Sequence, residues 1–219
     1  MFKSINKIIK VMISSDIALL TGFGFIAPIF AIFIAQRIII NDAGEAAKVA
    51  GFAMAIYWGV KSFLEIPFGK YLDKKHGEKD DLYFVIIGNL LAALAALGYI
   101  FSYLPWHIYI FKGIYSVGMA MNIPAWTAIF TRHIDKGQEA FEWATRSTAV
   151  GIGAGISGAL GGLIASAFGF NVLFIGVGFF AIVSAFLPFL ISKELSPRIK
   201  SASRVPKNKT LQEPHFPKS

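Results

Sequence analysis

Cysteine is absent from the 219 residues, which excludes disulfides, thiolate metal sites and a cysteine nucleophile. Charge is scarce as well. Asp, Glu, Lys and Arg supply 16% of the residues against 55% hydrophobic, and mean hydropathy is +0.60. That balance is too apolar for a domain that meets water on every side. The four histidines, His76, His107, His133 and His215, stand in or beside different loops or near the end of the chain, and none has a neighbour at metal-ligand spacing. No nucleophile and base pair, zinc spacing or phosphate loop is recognisable, so neither an enzyme nor a cofactor or metal is expected. Acids are outnumbered by bases, 13 to 21, for a formal net charge of +8. The bases border apolar runs and form no stripe interleaved with aromatics, so they point to membrane orientation and not to nucleic acid.

What the sequence does have is long apolar runs. Hydrocarbon offers no partner for backbone N–H and C=O, so a crossing segment must be a helix or part of a closed barrel. A barrel strand would alternate polar and apolar residues, and these runs do not. Measured against the roughly 20 residues a helix needs to cross, they predict an all-α membrane protein with six transmembrane helices. The spans fall near Val11 to Ala35, Val49 to Gly69, Leu82 to Tyr103, Trp106 to Phe130, Ser147 to Phe168 and Asn171 to Ile191. Residues 1–192 form the membrane domain. Residues 193–219 mix Pro, Ser and Lys and read as a basic, disordered cytoplasmic tail that anchors orientation or touches anionic lipid.

Short loops rich in Lys and Arg stay in the cytoplasm. Seventeen of the 21 basic residues fall at the N-terminus, around Asp73, in the loop around Asp135 as Arg132, Lys136 and Arg146, and after Ile191. Both ends are therefore expected in the cytoplasm of a multi-pass protein of the plasma or inner membrane. The segments around Leu104 and Gly169 have no basic residue and read as hairpin turns at the outer face, where Tyr99, Tyr103 and Trp106 would form an aromatic belt. Gly22, Gly24 and Pro28 interrupt the first span and should kink it, and Pro124 permits the same in the fourth.

Ionisable residues inside spans must face protein or water, because charge at the bilayer centre costs at least about 2.5 kcal/mol. Lys61 and Glu65 lie four apart on one helical face and can pair, either merely to permit insertion or as a coupling or gating pair. Asp16, with no obvious local partner, and Lys112 either line a cavity or reach the interfaces. Tyr115, Ser116, Met119 and Asn122 lie roughly along the face of Lys112. Gly151, Gly155, Gly158 and Gly162 recur at four, three and four, which forms a small-residue face for close helix packing. Gly153, Gly155 and Gly158 also satisfy G-x-G-x-x-G, but no strand precedes them and no acidic ribose ligand follows, so membrane packing is the better account.

The turn after the second span, Gly69-Lys70-Tyr71-Leu72-Asp73-Lys74-Lys75-His76-Gly77, resembles the loop signature of the major facilitator superfamily. Gly69, Asp73 and Lys74 match in place, whereas Gly77 arrives one residue late and Glu78 stands where a basic residue is usual. Lys112, Tyr115, Ser116, Gly118 and Ala120 are similar to the superfamily's second signature, with lysine replacing its arginine and Ser116 a glycine. Gly153, Ser157, Gly158, Gly161 and Gly162 resemble its glycine-rich antiporter signature without the proline. The resemblance implies one six-helix bundle of two three-helix inverted repeats, most like the N-terminal half of a full transporter. It also implies that Asp16, Lys112, Tyr115 and Asn122 line the substrate or ion path, and that Gly69, Asp73 and Lys74 form a cytoplasmic ion-pair latch. A half-size secondary transporter of an unknown small solute, working by alternating access as a homodimer or with a second six-helix half, is one reading. A non-transporting six-helix assembly partner, regulator or truncated transporter is the other.

Overall fold

A computed structural model of the chain describes residues 5–74 and 77–195. Within them are six α-helices and no strand: α1 (Lys7–Gly24), α2 (Phe30–Arg37), α3 (Ala43–Leu72), α4 (Glu78–Gly98), α5 (Pro105–His133) and α6 (Glu139–Phe186). Short 3-10 turns, Tyr99–Phe101 and Leu187–Ile191, extend α4 and α6. The tail expected after residue 192 lies almost wholly outside the described residues.

The first apolar run is broken, as Gly22, Gly24 and Pro28 suggested. Phe25 and Ile26 bond back three residues to Gly22 and Phe23, and Pro28 has no N–H to continue the ladder. The chain resumes as α2. Pro124 leaves no comparable break, since α5 is continuous from Pro105 to His133. Asn6 caps α1 by accepting from the Ile9 N–H at 2.9 Å, and its amide donates to the His133 carbonyl at 2.7 Å. The start of α1 is thereby tied to the end of α5.

At Gly169 the backbone of α6 leaves the helical region, with φ 80° and ψ 167°, a conformation that costs glycine little. The two arms of α6 run in opposite directions there. Along the first arm, residues 16 and 21 of α1 and residue 25 just past its end meet residues 146, 153 and 161 in rising order. Along the second the order reverses: Ser15 meets Ser184, Gly22 meets Phe180, and Phe33 meets Phe174 and Phe170. The same reasoning makes α4 and α5 antiparallel, through Asp81 with Arg132, Asn89 with Asn122 and Gly98 with Phe111. By contrast α3 and α5 run alongside each other in one direction, through Tyr57 with Tyr115 and Gly69 with Pro124.

Packing divides into a bulky layer at each end and a small-residue waist. Ile9, Met12, Trp126, Ile129 and Phe130 fill one end. Phe33, Ile34, Tyr99, Ile108 and Phe174 fill the other. Between them Ala92, Ala93 and Ala181 bring the helices close around Leu19 and Met119. A Cβ on Gly88 would sit 2.5 Å from the Gly118 carbonyl oxygen, so α4 and α5 touch backbone to backbone there.

Of two expected faces, the glycine face makes almost no contact among the described residues, and the aromatic belt loses Tyr99 to the core. Gly151, Gly155 and Gly162 meet nothing within 4 Å, and Gly158 only just reaches the Gly24 carbonyl. Helix α1 packs instead on Gly153, Ser157 and Gly161, spaced by four and about a third of a turn round the helix from the expected face. Tyr99 is 3% exposed, packed among Phe30, Phe33, Phe111 and Phe174, and so belongs to the core and not to a surface belt. Tyr103 and Trp106 are exposed.

The outer surface carries many large apolar side chains, Phe52, Phe63, Ile66, Leu163, Phe168, Phe179 and Leu190 among them, each more than half exposed. Patches of this extent suit lipid and not water. Three helical stretches, Ala43–Leu72, Glu78–Phe101 and Glu139–Ile191, are long and apolar enough to cross a membrane.

Candidate functional site

Three cavities follow one another along α5. The first, about 460 Å³, lies between the α1–α2 break, α3 and α5, with Phe23, Phe30, Met54, Tyr57, Lys112 and Tyr115 in its wall. The second, about 200 Å³, is bordered by Asp16, Tyr57, Tyr115, Asn122, Trp126 and Arg146. The third, about 490 Å³, lies where α3 and α5 end, among Glu65, Gly69, Asp73, Pro124, Thr131 and Arg132. Tyr57 and Tyr115 border both the first and second; Ile123 and Thr127 border both the second and third. From Lys112 to Arg132 the row spans 20 residues of helix, roughly 30 Å. That matches the thickness of a bilayer's hydrocarbon core.

The rings of Tyr57 and Tyr115 stack at 5.4 Å and 25°, and Phe23 leans on Tyr115 at 4.4 Å. This aromatic barrier separates the Lys112 cavity from the Asp16 cavity. Helix periodicity places Tyr115 beside Lys112, whereas Tyr57 arrives from α3 and could not be assigned from its own helix.

The four residues expected to line a path all border these cavities, but not a single one. Asp16, Tyr115 and Asn122 share the second cavity, and Lys112 and Tyr115 the first. Asp16 is buried and has a partner that sequence reading missed: Arg146, whose guanidinium lies 2.7 Å from its carboxylate. Arg146 also stacks over Trp126 at 4.5 Å and faces Trp143 at 5.8 Å. Two unlike charges removed from water gain from pairing, and the indole faces add a cation–π attraction. In the sequence Arg146 has the look of a loop cation, because it precedes the fifth apolar run by one residue.

Asn122 donates to Asn89 at 2.6 Å, Asn89 donates to Ser184 at 2.8 Å, and Ser184 bonds the Ser15 carbonyl at 2.7 Å. Ser15 returns a bond to the Ser184 carbonyl at 2.8 Å. This buried chain of polar groups staples α1, α4, α5 and the second arm of α6. Every link needs a partner in an apolar interior, so the network specifies register as well as stability.

Lys61 and Glu65 do pair, at 2.7 Å, with the Lys61 ammonium also 5.2 Å from the Trp58 ring. Glu65 faces the third cavity. In the turn that follows, Asp73 ends α3 and borders the same cavity, and its N–H bonds the Gly69 carbonyl at 3.0 Å. Asp73 and Lys74 are exposed and make no ion pair among the described residues. An ion pair at this end joins Asp81 on α4 to the partly exposed Arg132 on α5, with Glu78 3.8 Å from His133 beside it. Asp81 is wholly buried. Neither residue stood out in the sequence, since both sit where a span meets a loop.

A family model described as Major Facilitator Superfamily matches residues 17–217. Among solved structures the chain is similar to "In meso crystal structure of the POT family transporter PepTSo", with a TM-score of 0.70 and 15% identity over 86% of this chain. It spans 38% of that chain's length. At that identity the likeness is one of fold. No curated protein matches the sequence.

Proposed function

The chain belongs to the major facilitator superfamily, and from that premise we propose that it is one six-helix half of a secondary transporter for a small solute. The observation that carries the reading is the row of three cavities along α5, divided at the Tyr57–Tyr115 stack and as long as a bilayer is thick. In this reading α1 with α2, α3, α4, α5 and the two arms of α6 are six crossings in alternating direction. Both chain ends lie in the cytoplasm, and the Lys112 cavity faces outward. Solute passes from the Lys112 cavity to the Asp16 cavity when the tyrosines part, and a second six-helix half, in a copy of this chain or another, closes the open side. The unoccupied face of Gly151, Gly155 and Gly162 is available for such close contact. Rocking of two bundles about a midplane site is the mechanism such a pair supports.

Asp73, at the rim of the third cavity with no ion pair among the described residues, suits a latch that closes onto the opposing half. In proteoliposomes Asp73→Ala is expected to lower solute uptake several-fold while leaving membrane abundance unchanged. Equal loss of both would assign the turn to folding. Crosslinking in native membranes gives a second test, a specific pair of six-helix units being expected and a solitary unit being contrary to the proposal.

A further inference from the structure

Most interior charges of this bundle are matched, the buried Glu142 carboxylate near the start of α6 being an exception among the described residues. Asp16 has Arg146, Lys61 has Glu65, and Asp81 has Arg132. Lys112 has no acidic partner among the described residues. Its ammonium is held by three rings, Phe30 at 5.0 Å, Tyr57 at 5.3 Å and Tyr115 at 5.4 Å, on the wall of the 460 Å³ cavity. Cation–π attraction makes such a position tolerable, yet it leaves the positive charge unneutralised. The rest of the wall is apolar or aromatic: Ile26, Ala27, Ala31, Ala50 and Met54 contribute no charge.

We propose that this cavity is a binding site for a singly charged organic anion with an apolar or aromatic body, its carboxylate on Lys112 and its body against Tyr57 and Tyr115. One cation in an apolar pocket compensates one negative charge; a second would be left unpaired in low dielectric and would oppose entry. A neutral molecule of the same shape would fill the pocket but forgo the charge-assisted bond. The volume admits a body of about one or two rings, within the range of small-molecule sites. Because the same rings form the barrier to the Asp16 cavity, an occupant wedged against them is placed to couple its own binding to their separation.

The proposal rests on reading the cavity row as a solute path, and its test is independent of transport. The purified full chain in detergent is heated with benzoate, its neutral counterpart benzamide, or the dianion phthalate, and unfolding is followed. Benzoate is expected to raise the midpoint in a concentration-dependent way, with benzamide and phthalate at least about tenfold weaker. Lys112→Gln is expected to abolish the preference for benzoate over benzamide, and Lys112→Arg to preserve it. Equal effects of benzoate and benzamide on the unaltered protein, or no stabilisation by benzoate, would overturn the assignment, as would retention of the preference in Lys112→Gln. Should the anion preference fail while uptake of another solute still requires Asp73, the substrate class falls and the transporter reading stands.

Discussion

Replacing Arg146 by methionine is expected to cost the folded protein about 3 kcal/mol, measured by reversible unfolding in mixed detergent micelles. The Asp16 carboxylate would remain buried with its partner gone, and an uncompensated charge in an interior is more expensive than a missing pair. Asp16→Asn should cost less, because the charge it leaves unpaired, Arg146, is partly exposed and lies over the Trp126 ring. The double variant Asp16→Asn, Arg146→Gln should recover most of the loss, since neither member is then charged. A double variant as unstable as Arg146→Met would mean that the pair acts through its packing on Trp126 and not through charge. The same variants separate stability from function: if the pair belongs to the path, the double variant folds and still fails in uptake.

The second large effect is expected at Gly161. A Cβ there would drive into the Phe25 backbone, at the point where the chain leaves α1. Backbone cannot swing aside as a flexible side chain can, so Gly161→Val should destabilise by about 1–3 kcal/mol and disturb the α1–α2 break. Gly162→Val, one residue on, meets open space in the isolated bundle. Its fold should be unaffected in detergent. A loss confined to crosslinked pairs in the membrane would then mark the Gly151–Gly155–Gly162 face as the contact between halves. Equal destabilisation by both substitutions would contradict the arrangement of the first arm of α6 on α1.

These contrasts show what the sequence could and could not convey. Apolar run length located the helices, because the cost of unpaired peptide groups in hydrocarbon acts locally and leaves a continuous signature. Lys61 and Glu65 were legible as a pair for a similar reason, lying four apart on one helix. Contacts between helices were not. The partner of Asp16 lies 130 residues away, and helical periodicity says which face a residue occupies without saying what is opposite. The glycines illustrate this well. Spacing showed that Gly151, Gly155, Gly158 and Gly162 share a face, yet an equally small set, Gly153, Ser157 and Gly161, shares another, and only the position of α1 decides between them. Tyr99 belongs to the core and not to a belt, although aromatic residues near a span's end serve both alike; here the crowd of Phe30, Phe33, Phe111 and Phe174 decides. Ends of helices conceal the most, since Arg132 and Arg146 look like loop cations and yet pair with the buried carboxylates of Asp81 and Asp16.

The absence of cysteine makes the central claim directly testable, since any introduced thiol is the sole one in the protein. Single cysteines at Lys74 and Lys136, at one end of the bundle, and at Ile40 and Leu104, at the other, would be exposed to a membrane-impermeant maleimide on intact and opened cells. Labelling of Ile40→Cys and Leu104→Cys from outside, with Lys74→Cys and Lys136→Cys labelled only after opening, is the result that six alternating crossings require. Reaction of both pairs from the same side would contradict it.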